Sequence, residues 1–265
     1  YPAVTDVKLK NILKDMSMTN PEERDLRHSN AFIISGLSTG HGVMHWFNRS
    51  FQLMFPEVKT TFKLSQIGIG GISAARELAS GLVTLPGGLM VDMFRPHWGL
   101  ILAGSLGGFG VGWLVMGLTP IYAILILGMG IVSLASSIWH LPAMAALSRH
   151  FPRGKGISLS LHGVGGNIGD VVASPFTGLL LLYFGWRGII SVYAVIPILL
   201  GFVAFWSFRD IGGRTEEADE SIKIDLQIQR AKTLLKNPIL LGIAFVESLR
   251  EMALVPFDTF IPIYL

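Results

Sequence analysis

Residues 139–175 read WHLPAMAALSRHFPRGKGISLSLHGVGGNIGDVVASP. A first apolar segment ends near Pro142, a short basic turn follows, and a second apolar segment begins. That second segment carries a carboxylate, Asp170. A charge in the middle of a membrane-spanning helix costs about 2.5–3.5 kcal/mol on insertion scales, so such groups normally face a water-filled cavity or a partner. If the chain spans a membrane, this stretch therefore marks a polar pathway between two helices.

The composition places the chain in the membrane class. Hydrophobic residues make up 51% of it and charged residues only 15%, whereas about 25% of the residues in a soluble domain are charged. The charges cluster, which leaves windows of about twenty residues nearly free of them, long enough for a transmembrane helix. We therefore predict an all-α, polytopic bundle embedded in the lipid bilayer.

The residue types also exclude several classes of function. Cysteine is absent, which excludes disulfides, thiolate metal sites and cysteine nucleophiles. The basic residues lie in the connections between apolar windows, so they indicate membrane topology and not a nucleic-acid-binding patch. No nucleophile–base pair or metal-ligand motif stands out, and we predict neither an enzyme, nor a metal site, nor a cofactor. The chain begins with Tyr1 and has no signal peptide, so we expect a fragment or processed form.

Apolar windows predict seven spans, at residues 31–55, 65–91, 99–117, 120–147, 156–184, 187–208 and 238–265. The predicted domains are a cytoplasmic tail at 1–30, a six-helix unit at 31–208, a cytoplasmic linker at 209–237 and a seventh helix at 238–265. With the N-terminus inside, fifteen Lys and Arg residues lie on the cytoplasmic side and three on the other. This bias predicts a cytoplasmic N-terminus in the cytoplasmic (inner) membrane.

The first span has one polar face. Four side chains lie at i, i+4, i+7 and i+11 along it: His41, His45, Asn48 and Gln52. Arg49 lies beside them. Such a face does not contact lipid, so it lines either a cavity or a helix interface. Both alternatives, contact with a substrate or proton and hydrogen bonding between helices, stay open.

Four charges inside the spans predict a network. Arg49, Arg76, Glu77 and Asp170 sum to zero formal charge, so we expect them to neutralise one another across spans one, two and five, either as a static network or as a proton-coupling site at Glu77 and Asp170. Adjacent residues on a helix point about 100° apart. We therefore do not predict a simple pair between Arg76 and Glu77.

Further polar side chains are candidates for the same site. His162 lies two turns before Asp170 on one helix face, and histidine titrates near neutrality, which predicts a proton relay. The remaining cavity candidates are His140, Asn167, Glu247 and Glu251, with Arg250 as a charge partner. Glycines at four-residue spacing predict close helix packing, namely Gly36, Gly40, Gly104, Gly108 and Gly112. The run Gly163–Gly169 lacks a preceding strand, so we exclude a nucleotide site.

The connection after the second span carries a family resemblance. Gly88 is followed four residues later by Asp92 and then by Arg95, which resembles the signature gating loop of the major facilitator superfamily. Residues 136–140 (SSIWH), 158–167 (SLSLHGVGGN) and 185–187 (GWR) are similar to spans four to six of that superfamily, and VGGN is similar to fosmidomycin-resistance-type exporters.

This resemblance implies twelve helices in two six-helix domains, of which the chain would hold the first domain, the linker and helix seven. It implies a secondary active transporter of a small organic solute, coupled to protons, working by alternating access and monomeric when complete. Spans one, four and seven, helped by five, would line a midplane site. The subfamily favours export by antiport. The alternatives are a seven-helix sensor or receptor and a proton-independent facilitator.

Overall fold

The computed structural model describes residues 27, 29–213, 229, 232–233 and 236–264, without the side chains of Leu85, Leu89 and Met90. Most of the predicted tail and linker lie outside these ranges. Within them the chain is helical and has no β-strand. We label the helices α1 (Asn30–Leu53), α2 (Phe55–Phe62), α3 (Gln66–Met93), α4 (Trp98–Leu118), α5 (Tyr122–His150), α6 (Lys155–Leu181), α7 (Trp186–Phe208) and α8 (Pro238–Tyr264).

Each predicted span contains one long helix, which confirms the all-α fold class. Three helical stretches among the described residues are long and apolar enough to cross a membrane by themselves: Arg95–Leu118, Tyr122–His150 and Trp186–Phe208. The other long helices, α1, α3, α6 and α8, have at least 24 residues each, about 36 Å at 1.5 Å per residue. They carry the charged residues inside the predicted spans, which lowers their mean hydropathy.

Two boundaries differ from the sequence prediction. The connection after span one is helical, because Pro56 occupies the first turn of α2, where a missing N–H does no harm. Pro142 does not end the fourth span, since α5 continues through it to His150. Proline is tolerated inside membrane helices when neighbouring groups satisfy the freed backbone.

The helices pack in two groups around one aromatic core. Helix α4 lies between α5 and α7, α3 lies on α5, and α1 pairs with α6. From α1, Phe47 stacks on Tyr193 of α7 at 4.6 Å between ring centroids, and Phe51 meets Trp113 of α4 at 5.3 Å. These contacts join the α1–α6 pair to the other group.

Glycines bring α1 and α6 into backbone contact. A Cβ added to Gly42 would meet the carbonyl oxygen of Gly165 at 2.7 Å, and one added to Gly169 would meet that of Gly42. Within the run 163–169, Gly165, Gly166 and Gly169 therefore serve close packing. Of the glycines predicted to pack, Gly36, Gly40, Gly108 and Gly112 do contact other helices, whereas Gly104 was predicted wrongly, because a Cβ there would have nothing within 4 Å.

Two hydrogen bonds hold the turn between α3 and α4. Arg95, in a 3-10 turn at Arg95–His97, donates from Nε to the carbonyl oxygen of Gly212 at 2.7 Å. Trp98 donates from its indole nitrogen to the carbonyl oxygen of Val91 at 2.8 Å. The predicted gating loop is thus partly helical and is attached to the residues that follow α7.

Helix α8 makes three polar side-chain contacts along one edge, where Phe260 and Ile263 also pack against the core. Arg49 of α1 pairs with Asp258 at 3.1 Å, Ser73 of α3 shares a hydrogen bond of 2.9 Å with Thr259, and Gln66 donates to the Tyr264 hydroxyl at 3.0 Å. Apart from this edge α8 is mostly exposed. These contacts place Asp258 beside the polar face of α1.

Candidate functional site

A cavity of about 770 Å³ lies between α1, α3, α5, α6 and α8. Its size falls in the range of sites that bind small molecules. Its lining is polar except for Leu141 and Val171. The polar lining residues are His45, Asn48, Arg49, Gln52, Arg76, Glu77, Ser80, Thr84, Ser133, Ser136, Ser137, His140, Asp170, Ser174 and Asp258. A polar space of this kind inside a membrane bundle keeps these side chains out of the lipid.

The cavity collects most of the predicted site residues. The members that line it are His45, Asn48, Arg49, Gln52, Arg76, Glu77, His140 and Asp170. His41 and His162 are buried behind this lining, at 8% and 2% exposed. The polar face predicted for α1 therefore turns inward as one stripe, with His41 at its buried end.

Four predicted site residues lie elsewhere. Asn167 is exposed and does not line the cavity. Glu247 and Glu251 do not line it either, since both pair with Arg250 on the exposed side of α8, at 3.0 and 2.7 Å. The prediction that these residues line the cavity is thus wrong. Glu247 and Glu251 share a helix face with Asp258, but they precede it by 11 and 7 residues, about 10–17 Å along the helix axis. Of these three carboxylates, only Asp258 lines the cavity.

The charges pair differently from the predicted network. Arg49 donates to Asp258 at 3.1 Å and to Gln52 at 3.0 Å. Asp170 accepts from Nδ1 of His45 at 3.0 Å. With the histidines neutral, the lining holds two arginines and three carboxylates and has a formal charge of −1. The four-charge neutral network was wrong because it left out Asp258.

Arg76 and Glu77 form an ion pair despite their adjacency in sequence. Arg76 Nε lies 3.5 Å from Glu77 Oε1, and the two side chains are 39% and 49% exposed. Both side chains are long and flexible, and they bend toward each other across the 100° between them. The separation is too long for a strong hydrogen bond, so the pair is loose and open to the cavity.

Hydroxyl groups, which were not among the predicted site residues, form a second part of the lining. Ser133 donates to the carbonyl oxygen of Arg76 at 2.5 Å, and Ser137 donates to Ser80 at 2.9 Å. These bonds join α5 to α3 beneath the Arg76–Glu77 pair. Spacing could have identified them, since Ser133 and Ser137, like Ser80 and Thr84, repeat at four residues on one helix face.

Histidines from three helices cluster at one end of the cavity. The ring of His41 lies edge-on to those of His45 and His140, at 4.4 and 4.8 Å between centroids, and it stacks on His162 at 4.2 Å with 7° between the planes. Neither nitrogen of His162 has a hydrogen-bond partner in the described part of the chain. The predicted relay from His162 to Asp170 is therefore not assembled, since Asp170 is bonded to His45.

The sequence and the fold of this chain are similar to those of known proteins. Residues 37–265 match the family model described as Major Facilitator Superfamily. The chain is 23% identical over 204 residues to a "Probable hexose phosphate transport protein" of Chlamydia muridarum (strain MoPn / Nigg), covering 75% of this chain and 43% of that protein. It is 31% identical over 175 residues to "Monocarboxylate transporter 11" of Homo sapiens, covering 64% of this chain and 35% of that protein.

A more extended match is the "Fosmidomycin resistance protein" of Escherichia coli (strain K12), 21% identical over 234 residues, with 86% of this chain and 56% of that protein covered. Among solved structures, a bacterial homolog to the human lysosomal transporter Spinster, inward-facing and unoccupied, matches with a TM-score of 0.57 and 14% identity, over 72% of this chain and 44% of that one. This match shows the fold. The chain spans only about half, or less, of the length of these relatives.

Proposed function

This chain belongs to the Major Facilitator Superfamily, a family of multi-pass membrane transporters, and from that premise we propose that it is part of a proton-coupled secondary transporter of small organic anions. The observation that carries the proposal is the polar cavity, in which the Arg76–Glu77 pair is loose and open. The cavity lies between α8 and the helices that precede the long polar connection. This is where two domains would rock about a substrate in alternating access.

The substrate class is inferred from the cationic groups of the cavity. Arg49 and Arg76 present guanidinium groups whose side chains are each 39% exposed. Guanidinium binds carboxylate and phosphate groups through two parallel hydrogen bonds. Hexose phosphate and monocarboxylate, which appear in the names of two relatives, are both organic anions. The hydroxyl and amide groups of the lining would bind the rest of such a solute.

Coupling follows from the competition between Glu77 and the solute for Arg76. While Glu77 is ionised, it neutralises Arg76; once Glu77 is protonated, Arg76 is free to bind an anion. Proton and anion then enter together and leave the net charge of the cavity unchanged, which makes the coupling symport. The other charged or titratable groups lining the same cavity are His45, Arg49, Arg76, His140, Asp170 and Asp258.

The roles in proton coupling that the sequence predicts for Asp170 and His162 stay predictions. In the structure Asp170 is engaged by His45, whereas Glu77 has only the long contact with Arg76 among the ion pairs described. We therefore assign the transported proton to Glu77. The subfamily resemblance favours export by antiport. That mechanism would require the proton and the solute to compete for the cavity, so that binding of one excludes the other from it.

Topology completes the proposal. The bias of Lys and Arg residues supports a cytoplasmic N-terminus in the cell membrane. On that topology the turn carrying Asp92 and Arg95 lies on the cytoplasmic side, where the bond from Arg95 to Gly212 attaches it to the end of α7. We assign gating to this turn, with Gly88 in the preceding helix, and expect the complete protein to act as a monomer.

The test is a flux measurement on the purified protein in liposomes that contain a pH-sensitive dye. A hexose phosphate, a short monocarboxylate and an uncharged hexose are each added outside under an inward proton gradient. We expect the lumen to acidify with one anionic solute and not with the hexose. Anion uptake without acidification would replace symport by the proton-independent facilitator, and alkalinisation would indicate antiport. The absence of any flux in folded protein would reject transport in favour of a sensor.

A further inference from the structure

We propose that His41, His45 and His140 form a binding site for a divalent transition-metal ion of the Zn²⁺ class. Each residue offers one ring nitrogen, and the three nitrogens lie within 4.8 Å of one another. Ligand nitrogens around a tetrahedral zinc ion are separated by about 3.4 Å, from Zn–N bonds of about 2.0–2.1 Å. Small side-chain rotations would therefore bring the three rings onto one ion. No metal site was predicted from the sequence, since no metal-ligand motif stands out in it.

The hydrogen bonds of these rings leave the same nitrogen available on each. Nδ1 of His41 lies 2.9 Å from the carbonyl oxygen of His162, Nδ1 of His45 lies 3.0 Å from Asp170 Oδ2, and Nδ1 of His140 lies 2.6 Å from the carbonyl oxygen of Ser136. A carbonyl or carboxylate oxygen only accepts, so each Nδ1 carries the proton. Nε2 then holds a free lone pair on all three rings. Histidines that bind metal show this arrangement, in which an oxygen fixes the other nitrogen.

His162 supplies a second, independent observation. Its side chain is 2% exposed, and neither of its ring nitrogens has a hydrogen-bond partner among the described residues. A buried polar ring without a partner is unusual, and a bound ion or water is one of the arrangements that would satisfy it. This ring stacks directly on His41. The unpartnered ring of His162 therefore lies directly against the cluster, in contact with His41.

The ligand type and the local charge select the class of ion. Neutral imidazole suits zinc, copper, nickel and iron, whereas magnesium and calcium require oxygen ligands. Cysteine is absent from the chain. The Asp170 carboxylate, which accepts from His45, places a negative charge beside the cluster and favours a cation there. Because His45 and His140 line the cavity, an ion can reach the cluster from that space and join α1 to α5.

Binding is measured on purified protein that has been stripped with a chelator. Zn²⁺ is titrated against a chromophoric chelator, and Co²⁺ is added separately to record its visible ligand-field spectrum. We expect one ion per chain, intense Co²⁺ absorption from a site with four or five ligands, and a higher melting temperature with Zn²⁺. No saturable Zn²⁺ binding, or the pale spectrum of six-coordinate Co²⁺, would overturn the proposal without any substitution.

His150 provides a matched control for His140. It lies on the same helix, and its Nδ1 makes the same bond to the carbonyl oxygen four residues earlier, at 3.0 Å from Ala146, but it is not part of the cluster. We expect His140→Ala to weaken Zn²⁺ binding at least tenfold and His150→Ala to leave it unchanged. Equal affinities in the two variants would refute the site.

Asp170→Ala provides a variant that keeps all three ligands and removes the acceptor that fixes His45. Loss of this acceptor is expected to lower the affinity by about 10–100-fold, as for other groups that orient metal-bound histidines. Unchanged affinity in folded Asp170→Ala would exclude His45 as an oriented ligand and overturn the three-histidine site. The metal titration does not depend on flux, so its failure and the failure of the transport proposal are distinguishable.

Discussion

Arg49 in α1 pairs with Asp258 in α8 across 3.1 Å, and the same guanidinium group donates to Gln52. The pair joins the helix that follows the long polar connection to the cavity wall. Both side chains are about 40% exposed, at 39% and 42%, and half-exposed ion pairs contribute at most about 1 kcal/mol. The contact therefore contributes little to the stability of the fold, and its main effect is on the position at which α8 docks.

Asp258→Asn should loosen α8 without unfolding the protein. The chain has no native cysteine, so a single Ile263→Cys, at a partly buried position of α8 that packs against the core, reports docking through its rate of maleimide labelling. We expect a several-fold faster rate in Asp258→Asn. Glu247→Gln, on the exposed side of the same helix, should leave the rate unchanged, and equal rates in all three proteins would show that the Arg49 pair does not hold α8.

Glu77→Gln should separate solute movement from proton movement. The amide preserves the shape of the side chain but cannot take up a proton, and it removes the charge that competes for Arg76. We expect solute exchange between equal pools to persist, while uphill uptake driven by a pH gradient falls at least tenfold. The measurement is labelled-solute flux in liposomes with and without the gradient. Glu251→Gln on the outer side of α8 is the control, and gradient-driven uptake retained in Glu77→Gln would exclude this proton site.

Gly165→Ala should destabilise the contact between α1 and α6. The added Cβ would collide with the backbone carbonyl of Ser38, and overpacking of this kind costs about 1–3 kcal/mol. Gly163→Ala, two residues away on the same helix, meets nothing within 4 Å and should be neutral or slightly stabilising. Thermal unfolding in detergent measures both, and equal melting temperatures would contradict the close packing.

Thr177→Val should break a buried chain of hydrogen bonds. Thr177 is fully buried and donates to Ser50 at 2.7 Å, which in turn donates to the carbonyl oxygen of Trp46. Valine has the same shape but removes the donor to Ser50, and the loss of one such hydrogen bond costs about 0.5–1.5 kcal/mol. Thr60→Val removes an exposed hydroxyl that bonds within its own helix and serves as the control. A loss of stability equal in the two variants would argue against this network.

Much of the site could be predicted from the first helix alone. The spacing of His45, Asn48 and Gln52 identified an inward face, because helix periodicity and the exclusion of polar groups from lipid are local rules. Asn167 was selected for its position in a polar segment, but its rotation about the helix axis turns it away. Glu247 and Glu251 were predicted wrongly for a different reason: they share the helix face of Asp258 but lie about two and three turns before it, away from the cavity.

The sequence by itself determined the membrane class, the helices and the residues that must avoid lipid, because each follows from the length of an apolar run or the repeat of a helix. The tertiary structure decided which side chains from different helices contact one another. Close approach at Gly42 and Gly165 sets how α6 lies on α1 and brings Asp170 to His45. The packing of α5 brings His140 to His41 from about a hundred residues away. Pairing of this kind depends on the crossing and rotation of helices and on the reach of side chains, which no local pattern encodes.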